Sequence, residues 1–169
     1  KNNMLSTKTL LDTDKNEIIE KYINAKQTKQ LMEFLNDKCD EETVLSVFDR
    51  CFNESPDIYS NLCKEGILMN NAIAHHKYAL TLILSPNANK SSIEEAEFHL
   101  KESIKKGFLQ SYFTLARLLH ECFKKDNEAI EILQKGSEKG DKYSMCLLGY
   151  YISRGIGTEK VYKKGISMI

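Results

Sequence analysis

The sequence predicts an all-α fold, built from short repeats of two helices each. Helix breakers are scarce, since only Pro56 and Pro86 occur in 169 residues, and this favours long helices over many short strands. The chain is also similar to itself, which decides a fold more reliably than local propensity does. Shifted by 33 positions, it matches itself without a gap over about 25 residues.

The matched positions preserve both chemistry and size. Small residues coincide at Ser103 with Gly136 and at Ala116 with Gly149. The identical pairs are Glu95/Glu128, Ala96/Ala129, Leu100/Leu133, Lys106/Lys139, Gly107/Gly140, Ser111/Ser144 and Leu115/Leu148. Chance is a poor explanation for this agreement.

Each repeat contains an outer helix with recognisable end signals. The first is predicted at 92–106, where Ser91 and Glu94 form a capping-box pattern and Gly107 supplies a left-handed residue at the end. The second is predicted at 127–139.

For this second outer helix, Asp126 is the expected N-cap and Gly140 the expected end. Between the two outer helices, residues 109–123 carry apolar side chains on one helical face, which predicts an inner helix. These side chains are Phe113, Leu115, Ala116, Leu119 and Cys122 or Phe123.

Small residues recur at one equivalent position, at Ala79, Ala116 and Gly149. A small side chain in mid-helix lets a neighbouring helix approach closely. Asn70 precedes Ala79 by nine residues, the spacing at which a glycine precedes each of the other two. Because Asn is the second-best residue for a left-handed helix end, the repeat frame extends back to Asn70.

The chain divides by pattern into residues 1–69 and 70–169. The second part predicts repeats at about 70–107, 108–140 and 141–169, the last incomplete because 163–169 begins an outer helix without finishing it. The first part gives no clean match. We expect it to contain degenerate helix pairs or a cap, with helix starts near Asp14 and, through Ser55 and Pro56, at a fourth helix.

The segment 148–157 resembles the signature of Sel1-like repeats, with Gly149, Gly155 and Gly157 in place and Ile152 where the family has Tyr. The run KGSEKGD at 135–141 is similar to the family's helix end. The resemblance implies a right-handed α-solenoid of antiparallel helix pairs, a TPR-like superhelix. It also implies a role as an adaptor or scaffold, the role class to which family members belong.

Composition limits the partners. Lys+Arg and Asp+Glu both number 24, so we expect no nucleic-acid binding except through a local lysine patch such as Lys124-Lys125. No apolar run approaches the roughly 20 residues of a membrane span, so we expect no direct membrane insertion. Five cysteines without a CxxC pair favour reduced, mostly buried thiols in an intracellular, cytoplasmic compartment, with mitochondria as the alternative.

No catalytic, cofactor or metal site is expected. Adjacent helical residues point about 100° apart, so His75 and His76 do not suit one metal ion. His99 and His120 are predicted on other helices. The Gly155-Ile156-Gly157 run follows a helix rather than a strand, which indicates a helix-ending loop and not a phosphate loop. Acidic pairs such as Glu94-Glu95 are explained by predicted helix starts.

Four tyrosines in the predicted inner helices are the better lead for binding: Tyr112, Tyr143, Tyr150 and Tyr151. We expect about half to pack between repeats and the others to contact a partner. The predicted function is a non-catalytic scaffold or adaptor that binds another protein or a large complex. The alternatives are a permanent subunit or assembly factor of a ribosome-bound or respiratory complex, and an enzyme or cofactor carrier that uses the cysteines and histidines.

Overall fold

The computed structural model describes residues 11–157, in which the chain forms nine α-helices and no strand. The all-α prediction is confirmed for this part of the chain. The helices are α1 (Asp12–Asn24), α2 (Thr28–Lys38), α3 (Glu41–Glu54), α4 (Pro56–Leu68), α5 (Ala72–Leu84), α6 (Lys90–Lys105), α7 (Gln110–Glu121), α8 (Asp126–Glu138) and α9 (Lys142–Ser153).

The helices fall into two compact units, divided between Met69 and Asn70. In the first unit, α2 packs against α1, α3 and α4, and α3 packs against α4. Its fully buried side chains include Leu31, Met32, Leu35, Phe48 and Leu62. Pro56 occupies the first turn of α4 as expected, although the Ser55 side chain makes no capping hydrogen bond. The start of α1 lies at Asp12, two residues before the predicted one.

In the second unit, contacts across the helix pairs show the direction of each helix. Ala72, His75 and Tyr78 on α5 contact Ser103, His99 and Glu95 on α6, so the two helices are antiparallel. Along α7 and α9, the residues that contact each other follow the same order, since Phe113 lies beside Tyr143 and His120 beside Tyr151. These two helices are therefore parallel, and α8 packs against both.

The core of the second unit contains positions that the repeat makes equivalent. Ala96 and Ala129 are fully buried, as are Leu100 and Leu133. Ala79 and Ala116 are also fully buried in the same hydrophobic core. Matched small and apolar side chains thus fill matched places in this unit.

The predicted left-handed helix ends are confirmed. The backbone φ angle is 58° at Asn70, 94° at Gly107 and 89° at Gly140. The ends of α6 and α8 are closed by the same backbone hydrogen bond, from Phe108 N to Ser103 O and from Asp141 N to Gly136 O. This arrangement satisfies carbonyls that the end of the helix would leave without partners.

The predicted helix starts are less accurate. The capping box of α6 is formed by Asn89 and Ser92, not by Ser91 and Glu94. Helix α8 begins at Asp126 itself, with Lys125 in the cap position. Asp126 instead approaches His120, with 2.7 Å between its Oδ1 and the ring Nδ1.

Close helix approach occurs at Gly136, not at Gly149. A Cβ atom on Gly136 would lie 2.8 Å from Tyr112 Cβ and 2.9 Å from Ser144 Cβ. Among the described residues, nothing lies within 4 Å of a Cβ on Gly149, which is exposed. The prediction of close approach at Gly149 is therefore wrong for the part of the chain that the structure describes. The signal for Gly136 was present in its alignment with Ser103.

The incomplete outer helix predicted at 163–169 lies outside the described residues. Within residues 11–157, no helix combines the length and the apolar character needed to cross a membrane.

Candidate functional site

The four predicted contact tyrosines divide into two buried and two exposed residues. Tyr112 and Tyr151 retain only 5% and 3% of their accessible surface, and burial raises the pKa of both phenols. Tyr143 and Tyr150 are 62% and 52% exposed. Only the second pair is available to a partner in this structure, and the first pair packs inside the unit.

Tyr143 and Tyr150 lie on one side of α9 because residues seven apart share a helical face. The Tyr143 ring lies 6.0 Å from that of Phe113 on α7. Arg117, one turn further along α7, places its guanidinium 5.9 Å from the Phe113 ring centre. We call Phe113, Arg117, Tyr143, Tyr150 and Arg154 the aromatic surface.

Two of the three arginines of the chain belong to the aromatic surface. The Arg154 guanidinium lies 5.5 Å from the centre of the Tyr150 ring, and Arg117 pairs with Glu121 at 2.9 Å. Arginine stacked on an aromatic ring loses little freedom when it binds. Tyrosine and arginine are also the residue types that dominate binding energy at protein interfaces.

A second group of polar side chains is buried where α5 meets α6 and α7. His75, His76 and His99 retain 5%, 4% and 8% of their accessible surface, and Ser103 and Ser111 retain none. We call these five residues the histidine network. The sequence identified His75 and His76 but gave no sign of their partners, which lie 24 and 35 residues further along the chain.

One branch of the histidine network has a fixed hydrogen-bond direction. Ser103 Oγ donates to the carbonyl oxygen of Ala72 at 2.7 Å, so its single hydrogen is used. Ser111 Oγ, 2.8 Å away, must therefore donate to Ser103. His76 Nδ1 lies 2.8 Å from Ser111 Oγ and must donate to it. Neutral His76 thus carries its hydrogen on Nδ1.

The other branch joins His75 and His99 through their Nδ1 atoms, which lie 2.8 Å apart. One of these atoms must donate and the other accept. Glu95 Oε1 lies 4.0 Å from His99 Nε2 and accepts a hydrogen bond from the Tyr78 hydroxyl at 3.1 Å. A carboxylate on that side favours a hydrogen on His99 Nε2, so His75 is the donor. Glu95 is therefore a partner of this branch and not a residue at a helix start.

Burial lowers the pKa of all three histidines. Desolvation is the largest cause in each case, and it lowers the pKa of His76 to about 4. The nearby His99 lowers the pKa of His75 further, whereas Glu95 and Glu102 partly oppose the shift at His99. The network is therefore neutral at pH 7.

The other candidate groups give no support for a functional site. In residues 11–157, no group of three His, Cys, Asp or Glu side chains is arranged to hold a metal ion. Gly155 has a φ angle of 73° and ends α9, as expected of a helix-ending loop. Lys124 donates to the carbonyl of Glu121 and Lys125 pairs with Glu128 at 3.8 Å, so both lysines serve local contacts.

The cysteines differ from the expectation of mostly buried thiols. Cys51 and Cys63 are buried and Cys39 is half-buried, but Cys122 and Cys146 are exposed. Burial raises the pKa of the Cys51 and Cys39 thiols. The prediction is confirmed for two cysteines and wrong for the exposed two.

The chain matches no protein-family model, no curated protein and no solved structure. The similarity to Sel1-like repeats therefore rests on the sequence motifs alone.

Proposed function

We propose that the protein is a non-catalytic adaptor that binds another protein through the aromatic surface. The observation that carries the proposal is the exposure of Tyr143 and Tyr150 beside Phe113 and the two arginines. When a partner covers large aromatic rings that were exposed to water, the free energy of association becomes more favourable. Each tyrosine has only two side-chain torsions to fix, so little entropy is lost on binding.

The helical framework supports such a role. The aromatic surface combines side chains from α7 and α9, which are held parallel by their common packing against α8. Sites on packed helices keep their geometry better than sites on loops. The buried tyrosines contribute here, since Tyr151 packs 4.8 Å from the His120 ring and 6.1 Å from Tyr150.

We also propose that the helix pairs of the second unit form a right-handed α-solenoid of the Sel1-like kind. Support comes from the repeated helix ends at Gly107 and Gly140 and from the parallel direction of α7 and α9. In such a solenoid, α5, α7 and α9 line one face. A crystal structure of the full chain with these three helices on different faces would contradict this proposal.

The adaptor proposal is tested by partner capture followed by quantitative binding. The full chain serves as bait, and a partner recovered in a fixed molar ratio is purified and titrated against it. The double variant Tyr143→Ala/Tyr150→Ala is expected to weaken binding more than about tenfold, as loss of two contact aromatics does at interfaces. The matched control is Phe98→Ala, which removes a similarly exposed aromatic ring from α6.

Three outcomes are informative. Equal affinity of the wild type and the double variant would overturn the role of the aromatic surface. Equal weakening by Phe98→Ala would show a non-specific effect of lost aromatic area. Aggregation of the isolated chain that a bound partner prevents would favour a permanent subunit of a complex over an adaptor.

A further inference from the structure

The histidine network connects three helices of the second unit through side chains that titrate. His75 and His76 are neighbours on α5, yet His75 contacts α6 through His99 while His76 reaches Ser111 on α7. Successive helical residues point about 100° apart, which is why two neighbours serve two different helices. The packing of α5 therefore depends on both rings being in the correct protonation state.

A proton added to His76 meets no anionic group that would stabilise it. Nδ1 already donates to Ser111, so the proton must bind Nε2 of a ring that is only 4% exposed and packs 5.0 Å from the Phe108 ring. Ser111, which contacts His76 from α7, is neutral, and so is Ser103 on α6, which contacts Ser111. The charged group that acts on His76 is Lys77, which has the same sign as the protonated ring. Charging this ring is therefore costly in the folded state.

The His75–His99 branch tolerates one added proton but not two. With a single proton added, one Nδ1 can still donate to the other. With both rings charged, two N–H groups would point at each other across 2.8 Å, and the hydrogen bond would be lost. The other charged groups that act on this branch are Glu95 and Glu102 on α6 and Lys106 directly after it. The Tyr78 hydroxyl on α5 donates to Glu95.

We infer that the histidine network makes helix packing sensitive to acid: protonation of His75, His76 and His99 loosens the packing of α5 against α6 and α7. This sensitivity is confined to the second unit, because the chain has four histidines and all of them follow Asn70. It shares no side chain with the aromatic surface, although both include residues of α7.

The direction of the effect follows from linkage. A histidine whose pKa is lowered on folding stabilises the fold fully above its unfolded value of about 6.5. That stability is lost as the pH falls from 6.5 towards the folded value, which is about 4 for His76. At pH 5.0 the unfolded ring is mostly protonated and the folded ring is not. His76 alone then accounts for about a 30-fold loss in the folding equilibrium relative to pH 7.5.

Hydrogen–deuterium exchange of the full chain at pH 7.5 and pH 5.0, corrected for intrinsic exchange rates, tests the inference. Amide protection in α5, α6 and α7 is expected to fall about 30-fold at pH 5.0, or more when all three histidines contribute. Peptides from α2 and α3 in the first unit serve as an internal control and should change much less. Equal protection at both pH values, or an equal loss in both units, would overturn the inference.

The variant His76→Asn separates titration from packing. The Asn amide can donate to Ser111 as His76 Nδ1 does, but it does not titrate. This variant should therefore lose most of the pH response. The matched control His120→Asn changes a histidine outside the network and should keep the whole response. A response of undiminished size in His76→Asn would count against the mechanism, because only the part that His75 and His99 contribute should remain.

A measurement without mutation covers the case in which His76→Asn fails to fold. Imidazole resonances of the wild-type protein, followed by NMR from pH 8 to pH 4, report each ring directly. His75, His76 and His99 are expected to titrate below the ordinary range near 6.5, with His76 lowest. Titration of these three rings near 6.5 in the folded protein would refute the inference.

Discussion

Gly136 is a point where α8 lies close to both α7 and α9. A methyl group at this position would overlap the Cβ atoms of Tyr112 and Ser144, which cannot rotate away as the tip of a long side chain can. We expect Gly136→Ala to lower the free energy of unfolding by about 1–2 kcal/mol, since overpacking outweighs the better helix propensity of Ala. Urea denaturation followed by circular dichroism measures this loss.

Gly149→Ala is the matched control for this prediction, because it makes the same change in the next helix. No described atom lies within 4 Å of the added methyl group, so only the helix propensity changes. We expect a gain of up to about 1 kcal/mol. Destabilisation by Gly149→Ala as large as that by Gly136→Ala would contradict the explanation by close packing at Gly136.

Ser111 links His76 to Ser103, because its hydroxyl accepts a hydrogen bond from His76 and donates one to Ser103. Ser111→Ala would leave the Nδ1–H group of His76 buried without an acceptor. We expect a loss of about 2 kcal/mol in the free energy of unfolding at pH 7.5, the cost of leaving a buried donor without a partner. Thermal and urea denaturation provide the measurement.

The control for this prediction is Ser153→Ala at the end of α9. The Ser153 hydroxyl also donates to a neighbour, the carbonyl oxygen of Tyr150, but the residue is exposed and water can replace the bond. We expect a change within about 0.5 kcal/mol. Equal stability of the two serine variants would contradict the assignment of Ser111 as the acceptor for the His76 Nδ1–H group.

At the scale of the helix, α9 depends on a buried N-cap. Asp141 is only 5% exposed and accepts hydrogen bonds from both the backbone N–H and the hydroxyl of Ser144. Its removal deprives two buried donors of their acceptor. We therefore expect Asp141→Ala to cost about 2 kcal/mol, the upper end for an N-cap, and to reduce amide protection in the first turn of α9.

The control for Asp141 is Asp40, which caps α3 through the same bond to the third residue of its helix, Thr43. Asp40 is exposed, so water can satisfy the Thr43 N–H when the carboxylate is removed. The loss from Asp40→Ala should be clearly smaller. Equal losses in the two variants would mean that burial does not strengthen the Asp141 cap.

The ends of the helices were predicted from sequence better than their starts. A left-handed residue is required where α4, α6 and α8 end, and few residue types adopt it, so Asn70, Gly107 and Gly140 identified those ends. The start of α6 offered several competent caps within four residues. Local sequence does not decide among them, and Asn89 is the one that caps the helix in the structure.

The candidate site was predictable only in part, for a related reason. The sequence identified four candidate contact tyrosines, but it could not show that Tyr112 and Tyr151 are the two that point into the core. That outcome depends on which neighbouring helix covers which face. The pairing of His75 with His99 joins two helices that make a non-local contact, and no local pattern announces such a pair.

At the scale of the whole chain, the reactive groups are divided between the two units. All four histidines belong to the second unit, whereas the buried cysteines, Cys51 and Cys63, belong to the first. The exposed cysteines, Cys122 and Cys146, belong to the second. Acid therefore probes the packing of the second unit, and thiol labelling probes the packing of the first. Neither measurement needs a mutation.

Thiol labelling should separate the five cysteines into classes by rate. Cys122 and Cys146 are expected to react quickly with a thiol reagent at pH 7.5, and the half-buried Cys39 more slowly. Cys51 should react only as the first unit opens, because burial both blocks access and raises the pKa of its thiol, which lowers the fraction of reactive thiolate. Mass spectrometry of labelled peptides against time identifies each site.

The double variant Cys122→Ser/Cys146→Ser is the control for this assignment and should lack the fast phase. Urea at a concentration that unfolds the first unit should then bring Cys51 and Cys63 to the rate of an exposed thiol. Since both side chains lie in the core with Leu62, their labelling reports opening of that core and not local motion at the surface. Rapid modification of Cys51 in the native protein would contradict the burial of its side chain in the core of the first unit.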